Sequence, residues 1–207
     1  MTTITDYPSL LASIRKWYRD RSDVEAYAVD FVGLAEASLE RELRTREMQT
    51  TSPSIALTEG KGPLPTDYLQ YINVVMIDGQ RRYPLDYIDP KGGDQSTPQP
   101  SAGGTAQKFS IIGAEILTYP WAGSVEMVYF QAIPRLSTGT PTNWLLSKAP
   151  NLYLHASLYE AAKFFRKNDD IVVERGFKDQ WIGELMAGNE MALYAHTGIE
   201  FGAGQLP

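Results

Sequence analysis

Few side chains in this sequence have the type and spacing that catalysis needs. There are two histidines, His155 and His196, and no cysteine among 207 residues. Neither histidine has a second at i+4, so zinc chemistry of the HExxH kind lacks its ligand pair. The missing cysteine removes disulfide scaffolds, thiol nucleophiles, iron–sulfur clusters and thiolate-bound zinc. Gly60-Lys61-Gly62 is followed by proline and lacks the upstream glycine of a phosphate-cradling GxxxxGK[ST] loop. No GxSxG occurs, so there is no nucleophile elbow. Gly202-Ala-Gly204 joins no strand to a helix and is not a dinucleotide fingerprint. Asp169-Asp170 could serve as an acid–base or metal pair if repulsion or burial raised one pKa. They lie in a polar KNDD stretch just before a helix, where acids are favoured anyway, so capping is their reading. His155, beside Tyr153 and Leu154 on a predicted helix, is read as a helix-surface or inter-helix hydrogen-bonding group. The residues imply no catalytic centre, no cofactor and no metal.

The densest run of charge is in the second predicted helix: Glu36, Glu40, Arg41, Glu42, Arg44, Arg46 and Glu47. Glu40→Arg44 and Glu42→Arg46 are i,i+4 pairs with the acid first, the favourable sense. One reading is a solvated helix face. The other is a charged interface between subunits through Glu40, Arg41, Arg44 and Arg46. Trp144-Leu145-Leu146, after a Gly/Thr/Pro loop, reads as a core anchor or a contact with a partner.

Around these residues the elements fall in an αα, β, αα order. Asp6 caps a helix over residues 6–20 with Pro8 in its first turn, and Leu10, Leu11, Ile14 and Trp17 make its apolar face. Ser22-Asp-Val-Glu25 has capping-box spacing and opens a helix to about Arg46, roughly 35 Å long. Its expected core stripe is Val24, Tyr27, Phe31, Leu34, Ala35, Ser38 and Leu43. The two helices should form an antiparallel hairpin. Residues 54–58 read as a short strand, 59–63 as a turn, and 65–68 as a helical turn. Tyr71–Ile77 is a strand ending in the hairpin signal Asp78-Gly79, and residues 80–85 form the return strand. Residues 89–106 hold four Gly and three Pro and read as a long mobile loop. Strands follow over 108–112, 115–118 and 125–132, giving five or six antiparallel strands. A helix from Pro150 to about Lys167 and another from about Ile171 to Tyr194 close the chain, the latter with Phe177, Trp181, Leu185 and Met191 as its stripe. The fold class is α+β. It is a bundle of two helix hairpins (1–48 and 144–196) with an inserted antiparallel β domain (49–143) and an extended tail (197–207).

Hydrophobic residues make up 43% of the chain and charged residues 21%, an ordinary globular balance. The net charge of −6 argues against general nucleic-acid binding, which gains from neutralising phosphates. No apolar run approaches the roughly 18 residues of a membrane span. MTTITDYPSL lacks a basic region followed by an apolar one, so it is not read as a secretory signal. The cytosol is the expected place of synthesis.

In this order the segments resemble the head-to-tail adaptor (connector) proteins of tailed bacteriophages. The matching stretches are residues 7–23 with Ile14-x-x-Trp17, then Phe31-Val-x-Leu-Ala-Glu36-x-x-Leu-x-Arg41-Glu-Leu-Arg44, and Met48. Leu64-Pro-x-Asp67-Tyr-Leu69 and Phe109-x-Ile-Ile-Gly113 with Ile116 follow. Val128-Tyr129-Phe-x-x-Ile133-Pro-x-Leu136, Asn143-Trp-Leu-Leu146-x-x-x-Pro150-x-Leu-Tyr153-Leu and Glu160-Ala-Ala162 complete them. The resemblance implies a virion structural protein made in the host cytoplasm and not an enzyme. It would form a ring, usually of twelve subunits, between the portal protein and a tail or nozzle protein. Genomic DNA would pass through it without specific binding, and no membrane is involved. The acidic balance suits such a channel wall, and 11% aromatic residues suit large subunit interfaces. In the tail, Ile199, Phe201 and Leu206 are spaced by glycines, as anchors docking on the portal or a neighbouring subunit would be. The rival reading is a carboxylate-pair cell-wall hydrolase or other phage-encoded enzyme, which needs two acids facing one cleft.

Overall fold

The computed structural model describes residues 3–19, 22–91, 105–121 and 123–194. The tail anchors Ile199, Phe201 and Leu206, His196 and most of the 89–106 loop lie outside these residues. The described chain is mixed α+β, with five α-helices and largely antiparallel sheets. Its contacts divide it into two units. The described parts of Met1–Glu47 and Ile133–Pro207 form a helical unit, and those of Met48–Ala132 a β unit.

In the helical unit, α1 (Tyr7–Trp17) starts from a reciprocal capping box. The Asp6 carboxylate accepts the Ser9 amide at 2.9 Å, and the Ser9 hydroxyl accepts the Asp6 amide at 3.0 Å. The helix ends three residues before the expected Asp20. The Tyr18 and Arg19 amides turn back onto the Arg15 and Lys16 carbonyls, and Arg19 takes φ 55°. Helix α2 (Ser22–Glu42) also stops short of the expected Arg46. A five-residue helix, α3 (Trp144–Lys148), is capped by Asn143, whose Oδ1 accepts the Leu146 amide at 2.8 Å. Helix α4 (Pro150–Phe164) follows at once with proline in its first turn. It ends before the expected Lys167, where Arg166 takes φ 54°. Helix α5 (Asn168–Tyr194) takes Asn168, Asp169 and Asp170 into its first turn, so it starts three residues before Ile171. The acids sit where the helix dipole favours negative charge.

Helix α4 is buried nearly all round, from Leu152 through Leu154, Leu158 and Ala161 to Ala162, as a central helix must be. Helices α1, α2 and α5 all pack against it. The face α2 turns inward is Val24, Ala28, Phe31, Val32, Ala35, Leu39 and Leu43. This differs from the expected stripe: Tyr27 and Leu34 are exposed, and Ala28, Val32 and Leu39 take their place. Small Ala28 and Ala35 let the helix lie close to its neighbour. Truncating Leu39, which has no exposed surface, would cost about 2–5 kcal/mol in lost burial and cavity formation.

The β unit holds nine strands among the described residues, more than the five or six expected. They are β1 (Gln49–Thr51), β2 (Ile55–Ala56), β3 (Lys61–Pro63), β4 (Tyr68–Asp78), β5 (Arg81–Pro84), β6 (Asp86–Tyr87), β7 (Lys108–Ile112), β8 (Glu115–Tyr119) and β9 (Ser124–Gln131). One sheet runs β1-β9-β4-β5 with β2 also on β9, and the other runs β3-β8-β7-β6. The β6–β7 pair is parallel. Val74, Met76, Leu85, Ala106, Phe109, Ile116, Val125, Met127 and Tyr129 form the core. Ala106 belongs to it, so the end of the expected 89–106 loop is part of the packed body.

Two turns fall one step from where composition puts them. The turn expected over 59–63 is only Glu59-Gly60, with φ 52° and 73°, and Lys61–Pro63 continue as strand β3. Both residues have the positive φ of a type I′ hairpin turn. In the next hairpin Asp78 still pairs with Arg81, so the loop is Gly79-Gln80. The expected helical turn at 65–68 is a tight turn closed by the Tyr68 amide on the Pro65 carbonyl at 3.1 Å, and Tyr68 already begins β4.

Candidate functional site

The charged run at the end of α2 is only partly a solvated face. The helix stops at Glu42 because its last carbonyls are taken from outside the ladder. One Arg44 guanidinium nitrogen donates to the Glu40 carbonyl at 2.8 Å and to the Leu43 carbonyl at 2.6 Å, satisfying acceptors that a helix C-terminus leaves open. Glu40 is mostly buried and lies 3.9 Å from Arg135. Glu42 accepts from the Ser38 hydroxyl at 3.0 Å and from Lys178 of α5 at 2.8 Å. The Glu42–Arg46 pair expected from spacing therefore does not form. The helix ends at Glu42, so Arg46 is not one turn along it, and the nearly buried Lys178 ammonium takes the carboxylate. Burial acts to raise the Glu42 carboxyl, but the Lys178 and Ser38 hydrogen bonds outweigh it and hold the pKa below its usual value. Arg41 and Arg46 keep exposed side chains, while the Arg46 amide donates to Oδ1 of Asn189 at 2.9 Å.

Behind this run lies a buried polar network. Glu36 is 2% exposed. Its Oε1 accepts the Leu136 amide at 2.8 Å and the Tyr153 hydroxyl at 3.1 Å. Asn143 Nδ2 donates to that hydroxyl and to the Pro134 carbonyl, each at 2.7 Å. The network ties α2, the incoming segment after Ile133, the α3 cap and α4 together. Burial pushes the Glu36 carboxyl up, against the lowering effect of Leu136, Tyr153 and Arg135. Burial and the Glu36 charge likewise hold the Tyr153 phenol above its usual range. Glu36 and Glu40 are the one pair of neighbouring acids with a raised member, yet neither lines a pocket.

His155 bridges helices, with Nδ1 2.7 Å from Oε2 of Glu174 on α5. Its ring meets the edge of Trp17 at 5.9 Å and the Phe177 ring at 4.8 Å. It borders a pocket of about 400 Å³ whose walls include Ile4, Lys16, Trp17 and Leu154. Among the described residues no three His, Asp or Glu side chains gather as metal ligands. Asp169 and Asp170 stand in the first turn of α5, with Asp170 3.4 Å from Lys167. Leu145 and Leu146 of the WLL triplet are fully packed.

The sequence reading missed which apolar residues face outward. On α2 these are Val29 and Leu34, the latter 55% exposed, and on α5 Val172, Val173 and Met191, at 73%, 53% and 74%. Phe177 is also exposed, against expectation. The buried stripe of α5 is Glu174, Lys178, Leu185 and Asn189, so hydrophobicity pointed to the wrong face. Polar residues fill the inner one because each finds a partner there: His155, Glu42 and the Arg46 amide. Pairing is what lets such groups be buried.

A fold with buried polar links and no acid pair in a cleft is the build of an assembly component, and sequence comparison decides which. The sequence model described as SU10 adaptor protein matches residues 5–195. The chain belongs to the SU10 adaptor protein family. A comparison with curated proteins finds no match. The matched span takes in both units, so this SU10 adaptor carries the family pattern through α1 to α5 and every strand between them. It is a phage structural adaptor of the virion, of the head-to-tail kind that the residue motifs resemble, and it acts with head and tail components. Among its described residues no helix is long and apolar enough to cross a membrane.

Proposed function

We propose that this SU10 adaptor forms a ring, of twelve copies, between portal and tail and lines the channel through which DNA leaves the head. The family match carries this reading. The two helix hairpins act as one bundle that presents the end of α2 to the next subunit. The net charge of −6 keeps passing DNA from adhering to the wall. Glu40, Arg41, Arg44 and Arg46 mark the subunit contact. The structure supports dividing their roles: Arg44 and Glu40 shape the helix end, while the exposed Arg41 and Arg46 reach a neighbour. Ile199, Phe201 and Leu206 dock the tail segment on the portal. The protein is not an enzyme in this reading, and the domains keep the division between a helical part and an inserted β part. The test is to mix purified protein with portal complexes and image the product. Rings at the portal face are expected, and protein that stays unbound, or binds as scattered monomers, would refute the reading.

A further inference from the structure

We infer that subunits join through a head-to-tail helix seam, in which the outward face of α2 on one copy packs along the outward face of α5 on the next. The inference rests on the ring reading above and supplies its missing half. A closed ring of identical copies needs two different, complementary patches on each subunit. The helical unit has two unpartnered apolar faces. One is on α2: Ala26, Val29, Gly33, Leu34 and Ala37. The other is on α5: Val172, Val173, Gly176, Gly183, Ala187 and Met191.

These faces point to different sides. On α4, Tyr153 and Phe164 meet α2, whereas His155 and Tyr159 meet α5. At about 100° per residue, the first pair lies within about 20° around the α4 axis and the second about 200–240° round from it. The sense of the helices also fits. Helix α2 lies antiparallel to α4, because Tyr27 meets Phe164 and Glu36 meets Tyr153. Helix α5 is antiparallel to α4 too, because Glu174 meets His155 and Trp181 shares a pocket with Pro150. Hence α2 and α5 run parallel. Rotation about an axis along the helices keeps their direction, so copies in a ring bring α2 and α5 together in parallel.

Charge is complementary in that register. Along the outer side of α2 an acid, Asp30, precedes a base, Arg41. On α5 a base, Arg175, precedes the exposed acids Glu184 and Glu190. With Asp30 level with Arg175, Arg41 falls between the two acids, about 16 Å along. Like charges are not brought face to face. The glycines agree with the seam. An added Cβ at Gly33, Gly176 or Gly183 meets nothing within 4 Å in its own subunit, so these helix-weakening residues have no packing reason there. Close approach of a neighbouring helix gives them one.

The chain has no cysteine, so engineered pairs report the seam directly. Leu34→Cys and Gln180→Cys are level in the parallel register. In portal-bound rings treated with a short bismaleimide, the double variant should give a ladder of cross-linked oligomers. A mixture of the two single variants should give dimers, and each single variant alone should give none. Rings without a ladder would overturn the seam and leave the ring reading intact. Dimers from Leu34→Cys alone would mean a two-fold contact and would also overturn it. Absence of rings from the unsubstituted protein would remove the ring reading and the seam together. Should the first double variant melt below the parent, Ala37→Cys with Gly183→Cys, one turn along, replaces it under the same criteria.

Discussion

The Tyr153 hydroxyl donates to Oε1 of Glu36 across 3.1 Å, joining two helices through residues 117 positions apart in sequence. Glu36→Ala strips two buried donors of their acceptor and is expected to cost about 2–4 kcal/mol. The pH dependence has a definite sign. Burial holds the Glu36 carboxyl above its ordinary 4.5, so the folded state binds this proton more readily than the unfolded chain. Its contribution to stability is complete below about pH 4.5 and lost as pH rises through the raised value. Glu36→Gln keeps an acceptor and removes the titration. Its stability relative to the parent should therefore rise between pH 4 and pH 8 in urea titrations, and a flat difference would contradict the assignment.

Glu42 should behave in the opposite way. Lys178 and Ser38 hold its pKa down, so its contribution is present above the unfolded value and lost as pH falls through the folded one. The carboxylate is more than a third exposed, and solvent screening limits the pair to about 1 kcal/mol or less. Glu42→Gln should melt slightly below the parent at pH 7, and the gap should close below about pH 4, where both are neutral. Thermal melts at the two pH values check it.

How much of this was legible in the sequence depended on the kind of signal. Asp6 with Pro8, Asn143 before WLLSK and the alternation of Val125 to Gln131 are local, and their elements formed as expected. The strands β1 and β6 were not visible, because two or three residues carry no periodicity and gain their place only by pairing with β9 and β7. The inner face of α5 was misread for a related reason. Glu174, Lys178 and Asn189 are polar by type, and only His155, Glu42 and the Arg46 amide, far away in sequence, make them buried. The α2 charge run was legible as unusual, but not that Arg44 would spend its guanidinium on its own helix end.

Gly60 takes φ 73°, and a Cβ built on it would lie 2.4 Å from Cδ1 of Trp121. Gly79 has φ 60° with open space around it. Both disfavour an L side chain, but only Gly60 adds a clash with a ring. Gly79→Ala is expected to cost about 1 kcal/mol, and Gly60→Ala about 2–4 kcal/mol as the indole is displaced. Urea denaturation should rank them in that order. Equal losses would mean that Trp121 moves aside without penalty.

Arg44 and Arg41 separate the shape of the α2 end from its contact with a neighbour. Arg44 closes the helix by donating to the Glu40 and Leu43 carbonyls, so Arg44→Ala should lower the stability of the isolated subunit by about 1 kcal/mol, the scale of a lost charged hydrogen bond to a part-exposed acceptor. Arg41 and Arg46 expose their side chains, so the double variant Arg41→Glu, Arg46→Glu should leave the melting temperature nearly unchanged. Under the ring reading it turns the basic end of the α2 face acidic against Glu184 and Glu190 of the next copy. Ring formation on the portal should then fall sharply at low salt and recover in part as salt screens the repulsion. Melting curves read the first effect and co-sedimentation with portal the second. If the double variant assembled as well as the parent at low salt, the basic end of α2 would not be at a subunit contact, whatever Arg44 contributes to the fold.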